Sequence, residues 1–227
     1  MGKHIYTCIQ FKSMISPDEI MGFRGAILKM FPNQVLFHNH IDKGFRYAYP
    51  LIQYKQIHNH AYIVGIDKGA EALAELPELC PIECILKKRI IALEVKSVQT
   101  IFFSLEINED NNASVLYYYK LKDWLPLNQS NYRTYLQTPS LASRINLLER
   151  ILIGNVISFA GGIGDFINKN LSCDIISIDY QHKSSYKGVE LQNMDITFRI
   201  NLNLPFGIGL GKSASIGHGI LFPIKNQ

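Results

Sequence analysis

Apolar and polar residues alternate from His4 to Phe11, the period of a half-buried strand. A helix start follows at once. Ser16 can cap it, Pro17 suits its first position, and Glu19 completes a capping box. Ile20, Phe23, Ile27 and Met30 then recur at helical spacing, and Pro32 stops the run. Phe45 to Tyr54 is rich in strand formers. Pro50 lacks an amide hydrogen, which assigns this strand to an edge or a bulge. A turn at His58-Asn59-His60 leads into a strand from Ala61 to Ile66. A short amphipathic helix, Gly69–Leu76, and a strand, Arg89–Val95, complete a βαββαβ order, the ferredoxin-like unit.

The second half opens with strand-like Thr100–Ile107, a polar turn, and an extended stretch from Ser114 to Tyr119. Leu141, Ile145, Leu148, Leu152 and Val156 mark one face of a long helix that Gly161-Gly162 interrupts. Strands from Asp174 to Tyr180 and from Ile196 to Asn203 precede a glycine-rich loop. The fold expected is α+β, two tandem ferredoxin-like (RRM-like) domains, the second one decorated. The boundary falls near Lys96, giving residues 1–95 and 96–227.

Composition narrows the function classes. Of the 227 residues, 47% are hydrophobic and 19% charged, so the chain can bury a core. No apolar run approaches the ~20 residues of a membrane span, and the first residues lack a secretory signal. A cytoplasmic protein is expected. Cys8, Cys80, Cys84 and Cys173 lack zinc-site spacing and read as reduced thiols. The net charge of +4 is compatible with a nucleic-acid partner. From Ile196 onward there are three cations (Arg199, Lys212, Lys225) and no acid.

Two segments carry candidate chemistry. In Gly209-Leu210-Gly211-Lys212-Ser213-Ala214-Ser215-Ile216-Gly217-His218-Gly219, two G-x-G pairs flank a basic, hydroxylated insert. Glycines let backbone amides approach a phosphate, and Lys212 supplies charge. Gly211-Lys212-Ser213 mimics a P-loop end, but Phe206 stands where that loop needs glycine. A dinucleotide fingerprint fails too. Thirteen residues follow Ala214, and none is acidic. The other segment is Phe37-His38-Asn39-His40-Ile41-Asp42-Lys43-Gly44, with Tyr47 nearby. His38 and His40 share a face if this stretch is extended. Imidazoles can take and give protons near neutrality, and a lysine can neutralise developing phosphate charge. That inventory suits RNA cleavage by the substrate's own 2′-hydroxyl, with no metal or other cofactor. The second histidine pair, His58 and His60, reads as a solvated hairpin tip.

The chain resembles the CRISPR-associated endoribonucleases that process precursor RNA at its repeats, the branch with an F-H-N-H segment. The resemblance rests on the loop Gly209 to Gly219, on Phe37-His38-Asn39-His40 followed by Phe45 to Lys55, and on Ile63-Val64-Gly65-Ile66 with the helix after it. His218 departs from the family pattern, which has an apolar residue between the last glycines. The resemblance implies catalytic His38 and His40 supported by Lys43 and Tyr47. It also implies RNA contacts from the loop, at Gly209, Gly211, Lys212, Ser213, Gly217 and Gly219. Arg144, Lys187 and Arg199 are further candidates for the RNA backbone. Either imidazole can serve as base and the other as acid, with Lys43 or Lys29 stabilising the phosphorane. The products expected are a 2′,3′-cyclic phosphate and a 5′-hydroxyl, and mature guide RNAs result. The partners expected are CRISPR repeat RNA and a CRISPR effector complex, for a monomer or a homodimer. The rival is a non-catalytic RNA-binding subunit of such a complex. A small-molecule enzyme with a nucleotide site rests only on the failed P-loop.

Overall fold

The computed structural model describes residues 2–38, 40–41, 44–45, 49–87, 89–108, 116–186 and 189–224. Side chains are described for these, except at 38–48, 129 and 180–191. The chain divides into two compact units. The first takes Gly2–Ser104 with Ser215–Gly217, and the second takes Leu105–Ala214 with His218–Gln227. Sequence patterning places the divide near Lys96; by contact it falls after Ser104.

In the first unit, β1 (His4–Met14) leads through a 3-10 turn (Pro17–Glu19) into α1 (Ile20–Met30). The capping box forms: Glu19 Oε2 accepts the Ser16 amide at 2.9 Å. Arg89 grips the same carboxylate through Nη2 at 2.6 Å and Nε at 2.8 Å. With the Ser16 amide, it holds Glu19 at a pKa of about 2. A helical turn α2 (Val35–His38) follows, then two short paired strands, β2 (His40–Ile41) and β3 (Gly44–Phe45). The main sheet continues with β4 (Ile52–Ile57) and β5 (His60–Ile66), joined at His58 and Asn59. Both turn residues have positive φ, 49° and 66°, as a two-residue type I′ hairpin requires.

Two short helices, α3 (Lys68–Ala72) and α4 (Leu76–Leu79), lead to a hairpin of β6 (Ile82–Leu86) and β7 (Arg89–Leu93). The last strand is β8 (Val95–Phe103), antiparallel to β1 with Ile9 opposite Val98. The sheet order is β4-β5-β1-β8. In strand terms this is 2-3-1-4 of a βαββαβ unit. Arg89–Leu93 is therefore an inserted hairpin strand, and Val95–Phe103 closes the sheet. Pairing explains the difference, because β6 takes Arg89–Leu93 as its partner and leaves β1 to β8.

One face of this sheet packs on α1. Phe23 meets Phe11 and Tyr54 edge-on, at centroid distances of 5.4 and 5.9 Å. Ile9, Ile27, Ile52 and Ile63 fill the same core, each at 1% exposure or less. Apolar burial of this kind drives the layer together.

The second unit has β9 (Tyr117–Trp124), α5 (Gln129–Gln137), α6 (Leu141–Gly162), β10 (Cys173–Tyr186), β11 (Val189–Ile200) and β12 (Ile220–Ile224). Its sheet order, β10-β11-β9-β12, is again 2-3-1-4. Side-chain caps start both helices. Asn128 Oδ1 accepts the Asn131 amide, and Ser140 Oγ accepts the Ser143 amide. Leu148, Leu152, Val156 and Phe159 form the buried stripe of α6, which ends at the Gly161-Gly162 pair. Leu121, Ile196, Phe198 and Ile200 are among the buried positions of the sheet. Between β11 and β12, where a ferredoxin-like unit carries its second helix, this unit has the glycine-rich loop instead. No helix among the described residues is long and apolar enough to cross a membrane.

Candidate nucleic-acid interface

The glycine-rich loop is folded tightly on itself. The Leu210 amide donates to the Gly219 carbonyl at 2.8 Å, and the Gly219 amide donates to the Asp123 carbonyl at 3.0 Å. Gly219 has φ +60°, and a Cβ there would collide with the Leu210 carbonyl oxygen. Gly217 has φ +89°, and a Cβ would lie 2.5 Å from Ile20 Cδ1. These glycines therefore serve the loop's own geometry before any ligand. Gly211 packs on the Trp124 indole, whose Nε1 donates to Asn155 Oδ1 at 3.0 Å. Gly209 bridges Ile220.

Lys212 is exposed and Ser213 half-exposed, the latter with φ +60°. The loop thus presents its basic and hydroxyl groups outward. Three of its residues, Ser215–Gly217, join the first unit. The Tyr54 amide donates to the Ser215 carbonyl at 2.8 Å, and Tyr54 forms a parallel bridge with Ile216. The outer edge of β4, flagged in the sequence by Pro50, is where this segment docks.

Two of the other cations singled out by sequence, Arg144 and Arg199, have structural partners. Arg144 Nε donates to the Thr138 carbonyl at 2.9 Å, and its guanidinium lies 5.3 Å from the Tyr135 ring centroid. It ties α6 to α5. Arg199 Nε donates to Asp174 Oδ2 at 2.8 Å on the open side of the second sheet. Lys187 lies outside the described residues. Lys29 is exposed on the last turn of α1.

The histidine segment is built around Phe37. Its ring is 1% exposed and stacks on Phe31, with centroids 4.3 Å apart and planes 7° from parallel. Beside that stack Val35–His38 forms a helical turn. His38 ends the turn, and His40 opens β2 opposite Phe45. Lys43 and Tyr47 lie outside the described residues. His58 and His60 sit at the β4–β5 hairpin, where His60 Nδ1 lies 3.2 Å from the Lys12 carbonyl.

Sequence reading missed Lys55. It is 0% exposed, on the sheet face opposite Tyr54, and burial pulls its pKa down to about 7 while the neighbouring Cys8 opposes the shift. On the same face, burial pushes the Tyr6 hydroxyl and the Cys8 thiol up. The residue string Gln53-Tyr54-Lys55-Gln56 reads as a strand with a solvated face, so no local signal marked it.

Residues 3–102 match the model of the Cas6b N-terminal domain, and residues 111–224 match that of the Cas6b C-terminal domain. The chain belongs to the Cas6b family. A crystal structure of Cas6b superposes at TM-score 0.85, with 24% identity, over 98% of this chain and all of the other. A structure described as the CRISPR RNA processing endoribonuclease Cas6b superposes at TM-score 0.74, with 20% identity and the same coverage. An uncharacterized protein of Methanocaldococcus jannaschii is 27% identical over 146 residues, 63% of this chain and 98% of its own length. The tandem ferredoxin-like fold of this Cas6b chain is thus shared along its length. Its histidine segment falls within the N-terminal match and its glycine loop within the C-terminal one.

Proposed function

We propose that this Cas6b chain is an endoribonuclease that cuts CRISPR repeat RNA without a metal ion. The observation that carries this reading is the match of both halves, in order, to the two Cas6b domains. The likeness to a structure described as a CRISPR RNA processing endoribonuclease supports it. So do the two histidines of the segment, His38 and His40, and the exposed Lys212.

The chemistry is a transesterification. One imidazole takes the proton of the 2′-hydroxyl at the cleavage nucleotide, and the freed oxygen attacks the adjacent phosphorus. The P–O5′ bond breaks as the other imidazole protonates the leaving oxygen. The ends are a 2′,3′-cyclic phosphate and a 5′-hydroxyl. Lys43 or Lys29 neutralises charge on the phosphorane, and Tyr47 holds the scissile phosphate. The glycine loop, through exposed Lys212 and half-exposed Ser213, positions the repeat. Mature guide RNA is the product, for transfer to a CRISPR effector complex.

The test is cleavage of repeat RNA in excess chelator. Cutting should persist, and a substrate with 2′-deoxyribose at the cleavage nucleotide should bind and stay intact. Activity abolished by chelation and restored by magnesium would overturn the mechanism. Tight repeat binding with no cutting under any condition would favour a non-catalytic RNA-binding subunit.

A further inference from the structure

The two sheets differ on the side away from their cores. In the first, the central part of that side is buried: Tyr6, Cys8 and Lys55 are 2%, 7% and 0% exposed. In the second it is open. Strand pleat and register place Tyr118, Lys120 and Lys122 of β9 on this side, with Arg199 of β11 opposite Tyr118 and Phe222 of β12 opposite Lys120. Their alternates Tyr119, Leu121 and Phe198 are buried. Tyr118 and Phe222 are half-exposed, and Lys122 is exposed.

These groups are arranged rather than scattered. Asp174 holds Arg199 by Nε at 2.8 Å, and register sets Arg199 directly across from Tyr118, so the two residues are cross-strand neighbours on the two central strands. Lys122 Nζ lies 5.9 Å from the Phe222 ring centroid, and Phe206 braces that ring edge-on at 5.6 Å. Lys120 pairs with Asp179 at 3.0 Å. The carboxylates lie toward β10, and the β9–β12 side carries Lys122 with the aromatic rings.

A four-stranded antiparallel sheet that offers planar groups on its central strands is a platform on which unpaired bases stack. Stacking tolerates any base, and interleaved cations meet the phosphates. We propose that the open face of the second sheet binds a single-stranded stretch of the repeat RNA, with bases stacked on Tyr118, Arg199 and Phe222. Lys122 meets the backbone beside them. This rests on the reading of the chain as a repeat-RNA protein and adds a second contact surface, separate from the glycine loop. Double-stranded RNA gains nothing here, because its base faces are already stacked.

The test uses the full chain and single-stranded repeat RNA carrying 2′-fluoro groups throughout, which removes the nucleophile. Tyr118→Ala and Phe222→Ala should each weaken binding by about five- to a hundredfold. Tyr118→Phe should bind as the parent does, and Phe102→Ala, an exposed ring on the other sheet, should change nothing. With 5-iodouridine in the RNA, photocrosslinks to the unmodified chain should map to β9 and β12, a readout that needs no variant to fold. Unchanged affinity of both alanine variants, or crosslinks confined to other segments, would overturn the sheet-face site. If the parent still cuts native repeat RNA in that case, the cleavage reading stands alone. If the parent binds and crosslinks as expected but never cuts, the sheet-face site stands and the cleavage reading falls. A parent that binds no repeat RNA overturns both.

Discussion

The backbone amide of Tyr54 donates to the carbonyl of Ser215, 2.8 Å away and 161 residues later (215 − 54) in the chain. This bond extends the first sheet past β4 with a piece of the glycine-rich loop. The loop's glycines are thereby tied to folding as well as to any RNA they meet, and the two roles can be separated by variants.

Gly219→Ala and Gly217→Ala should both destabilise the chain, and Gly219→Ala more. At 219 the new Cβ meets a backbone oxygen that cannot step aside, whereas at 217 it meets the flexible tip of Ile20. Left-handed backbone alone costs a non-glycine residue about 1–2 kcal/mol. Denaturant unfolding should therefore show a loss of at least that order at 219. A Gly219→Ala chain as stable as the parent would contradict the packing described.

Lys55 should impose a pH dependence on stability. Its pKa falls from 10.5 in the unfolded chain to about 7 in the fold. Between those values the unfolded chain binds the extra proton, so stability rises with pH from about 7 to 10.5. Lys55→Met should flatten that rise, seen by chemical denaturation at several pH values. A parent and variant with parallel pH profiles would mean that Lys55 stays charged in the fold.

Much of the fold was legible from local pattern. The alternation in β1, the capping box at Ser16 and Glu19, and the I′ turn at His58 and Asn59 each carry their signal within a few residues. The strand β8 was read only from Thr100 onward, and as the opening of the second half rather than the closing strand of the first sheet, because Val98, Ile101 and Phe102 are all exposed. A strand open on both faces has no inside-outside alternation to read. In the histidine segment, Phe37 stacks on Phe31 beside the helical turn Val35–His38, a tertiary contact with no local signature in the sequence. The contacts of Arg144 with Thr138 and Tyr135 likewise have no signature in composition.

Lys212→Ala should weaken repeat binding and reduce its salt dependence by about one phosphate contact, a slope change of ~0.7 for single-stranded RNA. The side chain is exposed and makes no ion pair among the described residues, so thermal stability should stay at the parent value. Arg144→Ala should do the reverse, lowering stability through the α5–α6 junction with little change in the salt slope. Equal salt slopes for Lys212→Ala and the parent would remove Lys212 from the RNA contacts.

His40→Ala should slow single-turnover cleavage by about 10²–10⁴ while leaving repeat binding nearly unchanged, because a positioned acid or base acts on the transition state. His38→Ala should act in the same direction, and the double variant should fall short of the product of the two if they work as a unit. His58→Ala and His60→Ala are the matched controls. They carry the same residue type in the same unit, at the β4–β5 hairpin. Replacing His58, at φ 49°, by Ala should cost some stability but not activity. Loss of cutting in the hairpin variants, with full activity in His38→Ala and His40→Ala, would move the site to the hairpin. Normal cutting by all four would remove histidine from the mechanism and leave Lys43, Lys29 and Tyr47 to be tested in its place.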